Sequence, residues 1–297
     1  MSVSTSQGRD RAGIAFALLA VVIWAAWLPA TRVAISDGLG PIDIALLRYG
    51  VPALMLLPVC LRTGLLPRGV PVSLLLAMFC WGAPFVLLMS FGMARASVVH
   101  TAALVPCMMP VIAAFASRAF YGEAIPRQRR IGITFIMVDA MLVLVSVYIG
   151  DSMTDLSTIG LLLLASAGWA AYSVAFRRSG LTAVQAAAVV FAWSTIMLIP
   201  LALMHGTMLP TLPTGSLLFH ILAQGVLSGF VATIAYGLAI GRLGVPRAAS
   251  FSVLVPVLAT ILAVVWIGEM PSALDAVALC IGTLGVAVIN GVLSFKR

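Results

Sequence analysis

Charged residues are scarce in this sequence of 297 residues. Only 9% are Asp, Glu, Lys or Arg, and its single lysine is Lys296. Soluble domains contain about a quarter charged residues, so water is not the solvent for most of this surface. The short segments of alternating apolar and polar residues that are typical of an outer-membrane barrel are missing too. The two shortages exclude a soluble domain and a membrane barrel.

Motifs that carry catalysis are also missing. The chain has no HExxH, no GxSxG and no Walker loop, so we predict that it is not an enzyme and needs no cofactor. Its four cysteines form no CxxC pair and lie in or beside apolar stretches, which indicates buried apolar residues and no metal site. We predict no nucleic-acid partner, although the net charge is +8.

Apolar sequence is what the chain has in abundance, at 62% of residues. A helix needs about 20 mostly apolar residues to cross a bilayer. We therefore predict an all-α, polytopic membrane protein with ten transmembrane helices. The predicted spans are 13–36, 44–61, 72–94, 98–121, 131–149, 159–176, 184–205, 217–240, 246–267 and 273–295.

Basic residues predict the orientation of these spans, because cytoplasmic loops carry an excess of Lys and Arg. With both termini in the cytoplasm, 14 of the 17 basic residues lie on the cytoplasmic side of a bacterial inner membrane. The outer side keeps Arg32, Arg48 and Arg95. These three either attract substrate carboxylates or pair with the nearby Asp37 and Asp43, and we favour the pairing.

The second half of the chain repeats the first. Trp24, Trp27 and Arg32 match Trp169, Tyr172 and Arg177 at an offset of 145 residues. Further matches are Phe85 with Phe230, Phe91-Gly92 with Tyr236-Gly237, Pro110 with Pro256, and Gly122-Glu123 with Gly268-Glu269. Residues 1–150 and 151–297 would each hold five spans, and five is odd, so the second repeat is predicted to insert upside down. Inverted repeats are a feature of many secondary transporters.

This arrangement resembles the EamA-type members of the drug/metabolite transporter superfamily. The signal is the set of ten helices in two repeats, a Pro on the fourth helix of each half, and the Gly-Glu pair that closes that helix. The closest resemblance is to bacterial exporters of amino acids, including aromatic ones. It implies a central cavity lined by the first, third and fourth helices of each half, with the fifth helices at the periphery.

We predict that the substrate contacts the aromatic residues of these helices, namely Trp24, Trp27, Phe85, Trp169, Tyr172 and Tyr236, together with Met89 and His100. Large rings with a polar N–H or O–H suit an amphipathic ligand. Core packing, or an aromatic belt at the interface, is the alternative for the paired aromatics of the two repeats. His100, near the start of the fourth helix, is either a ligand or gate residue or a histidine hydrogen-bonded at a helix end.

Hinge or gate positions are predicted at residues that weaken a helix. Proline removes a backbone donor, and freed carbonyls can hold polar substrates in such carriers. The positions are Pro84, Pro106, Pro110, Pro256 and Gly229. Static kinks filled by neighbouring helices are the alternative.

Asp139 is the one carboxylate in the middle of a predicted span. It either couples transport to protons or forms a structural hydrogen bond with Asn290 on the tenth helix, and we favour the structural role.

The sequence thus predicts a secondary transporter that exports amino acids or related small metabolites by alternating access. The alternatives are an exchanger of nucleotide sugars or phosphorylated metabolites, and a non-transporting scaffold or receptor. Dianionic substrates would call for Lys or Arg inside the cavity, whereas the arginines here cluster at helix ends. The partners are a small-molecule substrate and the lipid bilayer. The substrate range, the coupling ion and the choice between monomer and homodimer stay open.

Overall fold

Helices are the only regular structure in the part of the chain described by this computed structural model, which covers residues 3–149 and 154–293. Side chains are described from residue 11 onward, except those of residues 245 and 246. We label ten helical segments in chain order: α1 Val3–Ser36, α2 Pro41–Met55 with Leu57–Thr63, α3 Val72–Phe79 with Ala83–Met93, α4 Val98–Tyr121, α5 Arg127–Ile149, α6 Leu156–Ser179, α7 Ala183–His205, α8 Thr214–Leu243, α9 Val245–Ser250 with Leu254–Ile267, and α10 Ala273–Ile289.

Eight of these segments are long and apolar enough to cross a membrane, within the described residues. The two parts of α2 meet at an angle of 72° at Leu56, and together they give a ninth candidate span. Helix α10 is apolar but has only 17 residues. Large apolar side chains on these helices stay exposed, as in Leu203 and Val265, which suits a lipid environment. The protein is therefore a multi-pass membrane protein, and the count of ten crossings stays a prediction.

Helices α3 and α8 are also irregular near their middle. Helix α3 is interrupted between Phe79 and Ala83, and Pro84 lies in the first turn of its second part, where a missing N–H costs no helical hydrogen bond. Helix α8 follows a π-helical course over Ile221–Val231. Such stretches are rare and occur frequently at functional sites.

The most extensive helix contacts join the two halves of the chain. Helix α1 packs on α8 and α9, and its repeat equivalent α6 packs on α3 and α4. Helix α2 packs on α7 and α8, and α5 packs on α10. The two repeats thus share one core and do not form two separate bundles.

Two ends of the bundle can be defined from contacts between helix termini. The end of α1 meets the start of α4 and the residues after α9, where Arg32 lies near Glu269; we call this the Arg32 end. The end of α6 meets the residues after α4, where Arg177 lies near Glu123; we call this the Arg177 end. Helix α6 starts beside the Arg32 end, because Thr154 donates to the carbonyl of Arg95 between α3 and α4. The end of α1 and the start of α6 therefore lie at the same end of the bundle.

Helices α5 and α10 approach closely because small residues line their contact. A methyl group on Gly282 would lie 2.5 Å from Asp139 Oδ2, and one on Gly285 would lie 2.8 Å from the Gly132 carbonyl. Asp139 faces Gly282, and neither carboxylate oxygen has a hydrogen-bond partner among the described residues. The predicted bond with Asn290 is wrong, since the Asn290 amide donates to the carbonyl of Ala249. Asn290 follows the end of α10, too far along the chain to reach Asp139.

Candidate functional site

Five aromatic side chains from both halves meet between the broken middle of α3 and helices α1 and α6. We call Trp27, Trp81, Phe85, Trp169 and Tyr172 the aromatic cluster. Phe85 lies at its centre, with its ring centroid 6.4 Å from that of Trp27, 6.4 Å from that of Trp81 and 6.2 Å from that of Trp169. Tyr172 packs on Trp81 at 4.7 Å. These spacings are typical of favourable aromatic contacts.

The break in α3 leaves backbone groups that side chains from other helices satisfy. The Tyr49 hydroxyl on α2 donates to the carbonyl of Trp81 at 2.7 Å, and the Ala83 amide donates to Ser194 Oγ on α7 at 2.9 Å. A methyl group on Gly82 would lie 2.3 Å from Ser194 Oγ, so glycine is required for this approach. The bonds fix the break and hold in place Trp81, which lies within it, and Phe85, which follows it.

A polar group adjoins the aromatic cluster at Trp27. The Trp27 indole N–H donates to Gln224 Oε1 on α8, and the Gln224 amide donates to Thr31 Oγ1 at 3.3 Å. The Arg48 guanidinium lies over the Trp27 ring, with Cζ 4.0 Å from the ring centroid, and donates to Ser228 Oγ on α8. Arg48 is 4% exposed. The arginine joins α2 to α1 and α8 within the bundle.

The π-helical stretch of α8 brings this polar group together. Gln224 and Ser228 lie within it, as do Gly225 and Gly229. A methyl group on Gly225 would lie 2.7 Å from the Leu47 carbonyl, and one on Gly229 would lie 2.6 Å from the Arg48 carbonyl. Both positions need glycine because α8 touches the backbone of α2. Gly229, predicted as a hinge, lies at this close contact.

Ion pairs between the halves lie at both ends of the bundle. Arg32 Nε lies 3.7 Å from Glu269 Oε2, and Arg177 Nη2 lies 3.6 Å from Glu123 Oε2. Each pair joins the end of a repeat's first helix to the Gly-Glu that closes the fourth helix of the other repeat. Arg178 adds a second contact to Glu123 at 2.5 Å.

The Gly-Glu pairs have the same backbone geometry at both ends. Gly122 and Gly268 adopt the left-handed conformation at φ +67° and φ +68°, which glycine tolerates without strain. The following Glu amides donate to the carbonyls of Ser117 and Ala263, which turns the chain back on the helix. This turn directs each glutamate toward the arginine of the opposite half.

His100 lies in a different group of side chains from the aromatic cluster. Its Nε2 lies 3.0 Å from Asp275 Oδ1 on α10, and its Nδ1 lies 3.4 Å from Thr154 Oγ1. Ser146 Oγ on α5 donates to the same Asp275 oxygen at 2.6 Å. These bonds join α4, α5 and α10 at the Arg32 end, so the geometry favours the structural alternative for His100.

The other predicted substrate contacts divide between two places. Trp27, Phe85, Trp169 and Tyr172 belong to the aromatic cluster, and Met89 is fully buried in the same core. Trp24 packs on Tyr236 of α8, with ring centroids 5.1 Å apart, and its indole N–H has no hydrogen-bond partner among the described residues. Trp24 and Tyr236 thus form a second aromatic pair.

The predicted hinge prolines of α4 lie inside a continuous helix. Pro106 and Pro110 do not interrupt Val98–Tyr121. Proline at position 106 has no N–H to donate to the carbonyl of Ala102. The Cys107 thiol donates to that carbonyl instead, with Sγ at 3.7 Å from the oxygen. Pro256 lies in the first turn of the second part of α9, after a short 3-10 turn at Phe251–Val253. The static-kink alternative fits α4, and a break in the helix fits Pro84 and Pro256.

Two cavities of the described residues lie away from the aromatic cluster. One is lined by Phe115, Arg118, Ile125, Arg130 and Ile133, and the other by Leu65, Phe79, Trp193, Ile196 and Met197. Neither includes a predicted substrate contact.

The predicted pairing of the outer arginines with Asp37 and Asp43 is wrong. Asp37 Oδ2 lies 2.8 Å from His220 Nε2, and His220 is fully buried. Asp43 caps the start of α2 through the Gly40 amide and also accepts from the Met208 amide. Both carboxylates therefore have other partners.

Sequence reasoning missed Arg48, Gln224 and Ser228 as a group. The distribution of basic residues places Arg48 on the outer side, near the end of a helix, because the second span is predicted to begin at residue 44. Helix α2 begins at Pro41, so Arg48 lies two turns inside it. Its partners are on α1 and α8, and the available signal was a polar Gln and Ser four residues apart in an apolar span.

Comparison with known families agrees with this architecture. The EamA-like transporter family matches twice, over residues 11–145 and over residues 156–291. The chain therefore belongs to the EamA-like transporter family. It is a membrane-embedded transporter of small molecules, and the two matches agree with the internal repeat.

The chain is also similar to one individual protein in sequence and to one solved structure in fold. It is 26% identical over 283 residues to a protein named as a probable terminal-alkyne amino-acid exporter from Streptantibioticus cattleyicolor, covering 92% of this chain and 91% of that protein. It also resembles a solved crystal structure with a TM-score of 0.56 and 21% identity, covering 94% of this chain and 97% of that one. The second likeness concerns the fold alone.

Proposed function

We propose that this protein exports amino acids with apolar side chains, or closely related metabolites, across the bacterial inner membrane by alternating access. The observation that carries the proposal is the aromatic cluster, which is built from both repeats and lies between two ion-pair groups that also join the repeats. A site of this kind opens to one side when the halves separate at one end and to the other side when they separate at the other end.

The ion pairs support the alternating-access part of the proposal. Arg32 with Glu269 and Arg177 with Glu123 are equivalent positions of the two repeats, at opposite ends of the bundle. Both are formed in this conformation, so we assign it to an occluded state. In the proposed orientation, with both termini in the cytoplasm, ten crossings and inverted repeats, the Arg32 end faces outward.

The choice of substrate rests on the cluster and on the relative. Aromatic faces accept apolar side chains and offer an ammonium group a cation–π contact worth about 0.5–2 kcal/mol. The related protein is named as an amino-acid exporter. A nucleotide sugar or other dianion is disfavoured because the aromatic cluster adjoins one buried cation, Arg48.

The direct test is solute flux in proteoliposomes that contain this chain alone, with a panel of labelled amino acids and phosphorylated metabolites. We expect uptake of leucine, phenylalanine and similar amino acids, and none of the phosphorylated compounds. Absence of amino-acid flux, with the protein folded and correctly inserted, would refute the proposal.

Trp169→Ala tests whether the aromatic cluster is the site. The lost ring contact corresponds to about 2- to 30-fold in kcat/KM for several amino acids together, from the cation–π range above. The matched control is Phe91→Ala, since Phe91 also lies on a spanning helix but is 55% exposed. Equal losses in both variants would show that the cluster is ordinary packing.

A further inference from the structure

Arg48 carries a charge that the described protein does not neutralise. The guanidinium lies inside the bundle on the Trp27 ring, and its hydrogen-bond partner is the Ser228 hydroxyl. The Tyr49 hydroxyl is a further close neighbour. None of the ion pairs formed by the described residues includes Arg48. Hydroxyl groups and a ring face are neutral, so they orient the cation without balancing its charge.

The carboxylates of the neighbouring chain segments are committed elsewhere. Asp37 bonds His220, and Asp43 caps α2 and accepts from the Met208 amide. A buried cation without a counter-ion costs several kcal/mol, and an ionisable residue at membrane depth marks a substrate or ion path by default. The missing counter-charge is thus expected from outside the protein.

The position of Arg48 fits a carboxylate at one end of an amphipathic ligand. The Trp27 ring contacts the guanidinium at 4.0 Å and packs on Phe85 at 6.4 Å, so the cation lies within roughly 10 Å of the centre of the aromatic cluster. We propose that Arg48 binds the carboxylate of the transported solute while the apolar side chain of that solute lies on the aromatic cluster. This inference rests on the proposed function and adds the group that recognises the substrate.

The surroundings of Arg48 also limit the substrate class. One buried cation matches one carboxylate, whereas a phosphate dianion calls for a second Arg or Lys. Gln224 accepts from the Trp27 indole, and it lies on the same stretch of α8 as Ser228, which accepts from Arg48. The arrangement therefore selects monocarboxylates with an apolar body, and the ammonium group contributes less than the carboxylate.

A ligand series on the wild-type protein tests this order of importance. The purified protein in nanodiscs is titrated with L-leucine, with L-leucinamide, which lacks the carboxylate, and with 4-methylpentanoate, which lacks the ammonium, while tryptophan fluorescence is recorded. We expect leucine and 4-methylpentanoate to bind, and leucinamide to bind at least about 30-fold more weakly, since loss of one partner of a buried charge pair has an effect of that size. Equal affinity for leucine and leucinamide, or no binding of any of the three, would overturn the assignment.

Substitution of Arg48 provides the second arm. Arg48→Gln should lower leucine affinity to the level of leucinamide and leave leucinamide unchanged, and Arg48→Lys should restore part of the difference. Arg95→Gln is the control, because Arg95 is an exposed arginine of the Arg32 end. A purely structural role would weaken all three ligands equally, and retained preference for leucine in Arg48→Gln would also refute the proposal. If Arg48→Gln does not fold, Arg48→Lys and the wild-type series decide.

The outcome separates this inference from the proposed function. Amino-acid flux without preference for the carboxylate would overturn the role of Arg48 and leave the export function standing. Arg48-dependent binding of 4-methylpentanoate without amino-acid flux would support the anion site and refute the export function.

Discussion

Glu269→Gln should open the Arg32 end of the protein. The substitution keeps an oxygen that accepts the hydrogen bond from the Val98 amide, and it removes the charge that attracts Arg32. If this ion pair helps to close one end of an alternating-access carrier, its loss shifts the population toward the conformation open at that end.

The size of the shift follows from the geometry. At 3.7 Å, two unit charges attract by about 4.5 kcal/mol at an effective dielectric constant of about 20. The Arg32 and Glu269 side chains are 31% and 19% exposed, so solvent screening and desolvation cancel most of that energy. We expect about 1–2 kcal/mol to remain, which corresponds to about a 5- to 30-fold change in population.

Cysteine accessibility measures this population. In a variant without the native cysteines, Thr31→Cys places a thiol at a fully buried position beside Trp27 and Gln224. A membrane-impermeant maleimide added outside intact cells should label this cysteine faster when Glu269→Gln is present. The side from which labelling rises also tests the proposed orientation.

Glu123→Gln is the matched change at the other end. It should raise labelling from the cytoplasmic side, by a smaller factor because Glu123 and its arginine partners are 35–46% exposed. Unchanged labelling in Glu269→Gln, or increased labelling from the same side in both variants, would refute the assignment of the ion pairs as alternating closures.

Two further predictions concern helix packing. Asp139→Asn should leave transport and its pH dependence unchanged and alter stability by less than about 1 kcal/mol. The reason is that the carboxylate has no hydrogen-bond partner to lose within the described structure. Loss of pH-driven uptake in a folded variant would instead assign proton coupling to Asp139. Gly229→Ala should destabilise the protein by about 1–3 kcal/mol in thermal unfolding, because the added methyl would meet the Arg48 carbonyl at 2.6 Å. Gly215→Ala on the same helix meets open space and should be neutral, and equal stability of the two variants would contradict the close contact.

Composition and periodicity determined the fold class of this protein without any structure. Low charge and long apolar stretches predict spanning helices. A helix pairs its backbone groups within the segment, and unpaired groups are too costly in lipid. The matches at offsets of 145 and 146 residues predicted the repeat, and the family matches over residues 11–145 and 156–291 agree with it. The matched Arg32 and Arg177, with Glu123 and Glu269, were visible in the sequence, but the ion pairs between them were not.

Only the tertiary structure decided which polar groups meet. Arg48, Trp27, Gln224 and Ser228 are distant in the chain, and their contact depends on a π-helical stretch and on glycines that let α8 touch α2. The same holds for Asp139 against Gly282 and for His100 against Asp275. Apolar periodicity indicates that a helix is buried or faces lipid, whereas the partner of a buried polar side chain depends on helix rotation and depth. Both are set by packing between helices, here by Gly225 and Gly229, which let α8 touch the backbone of α2.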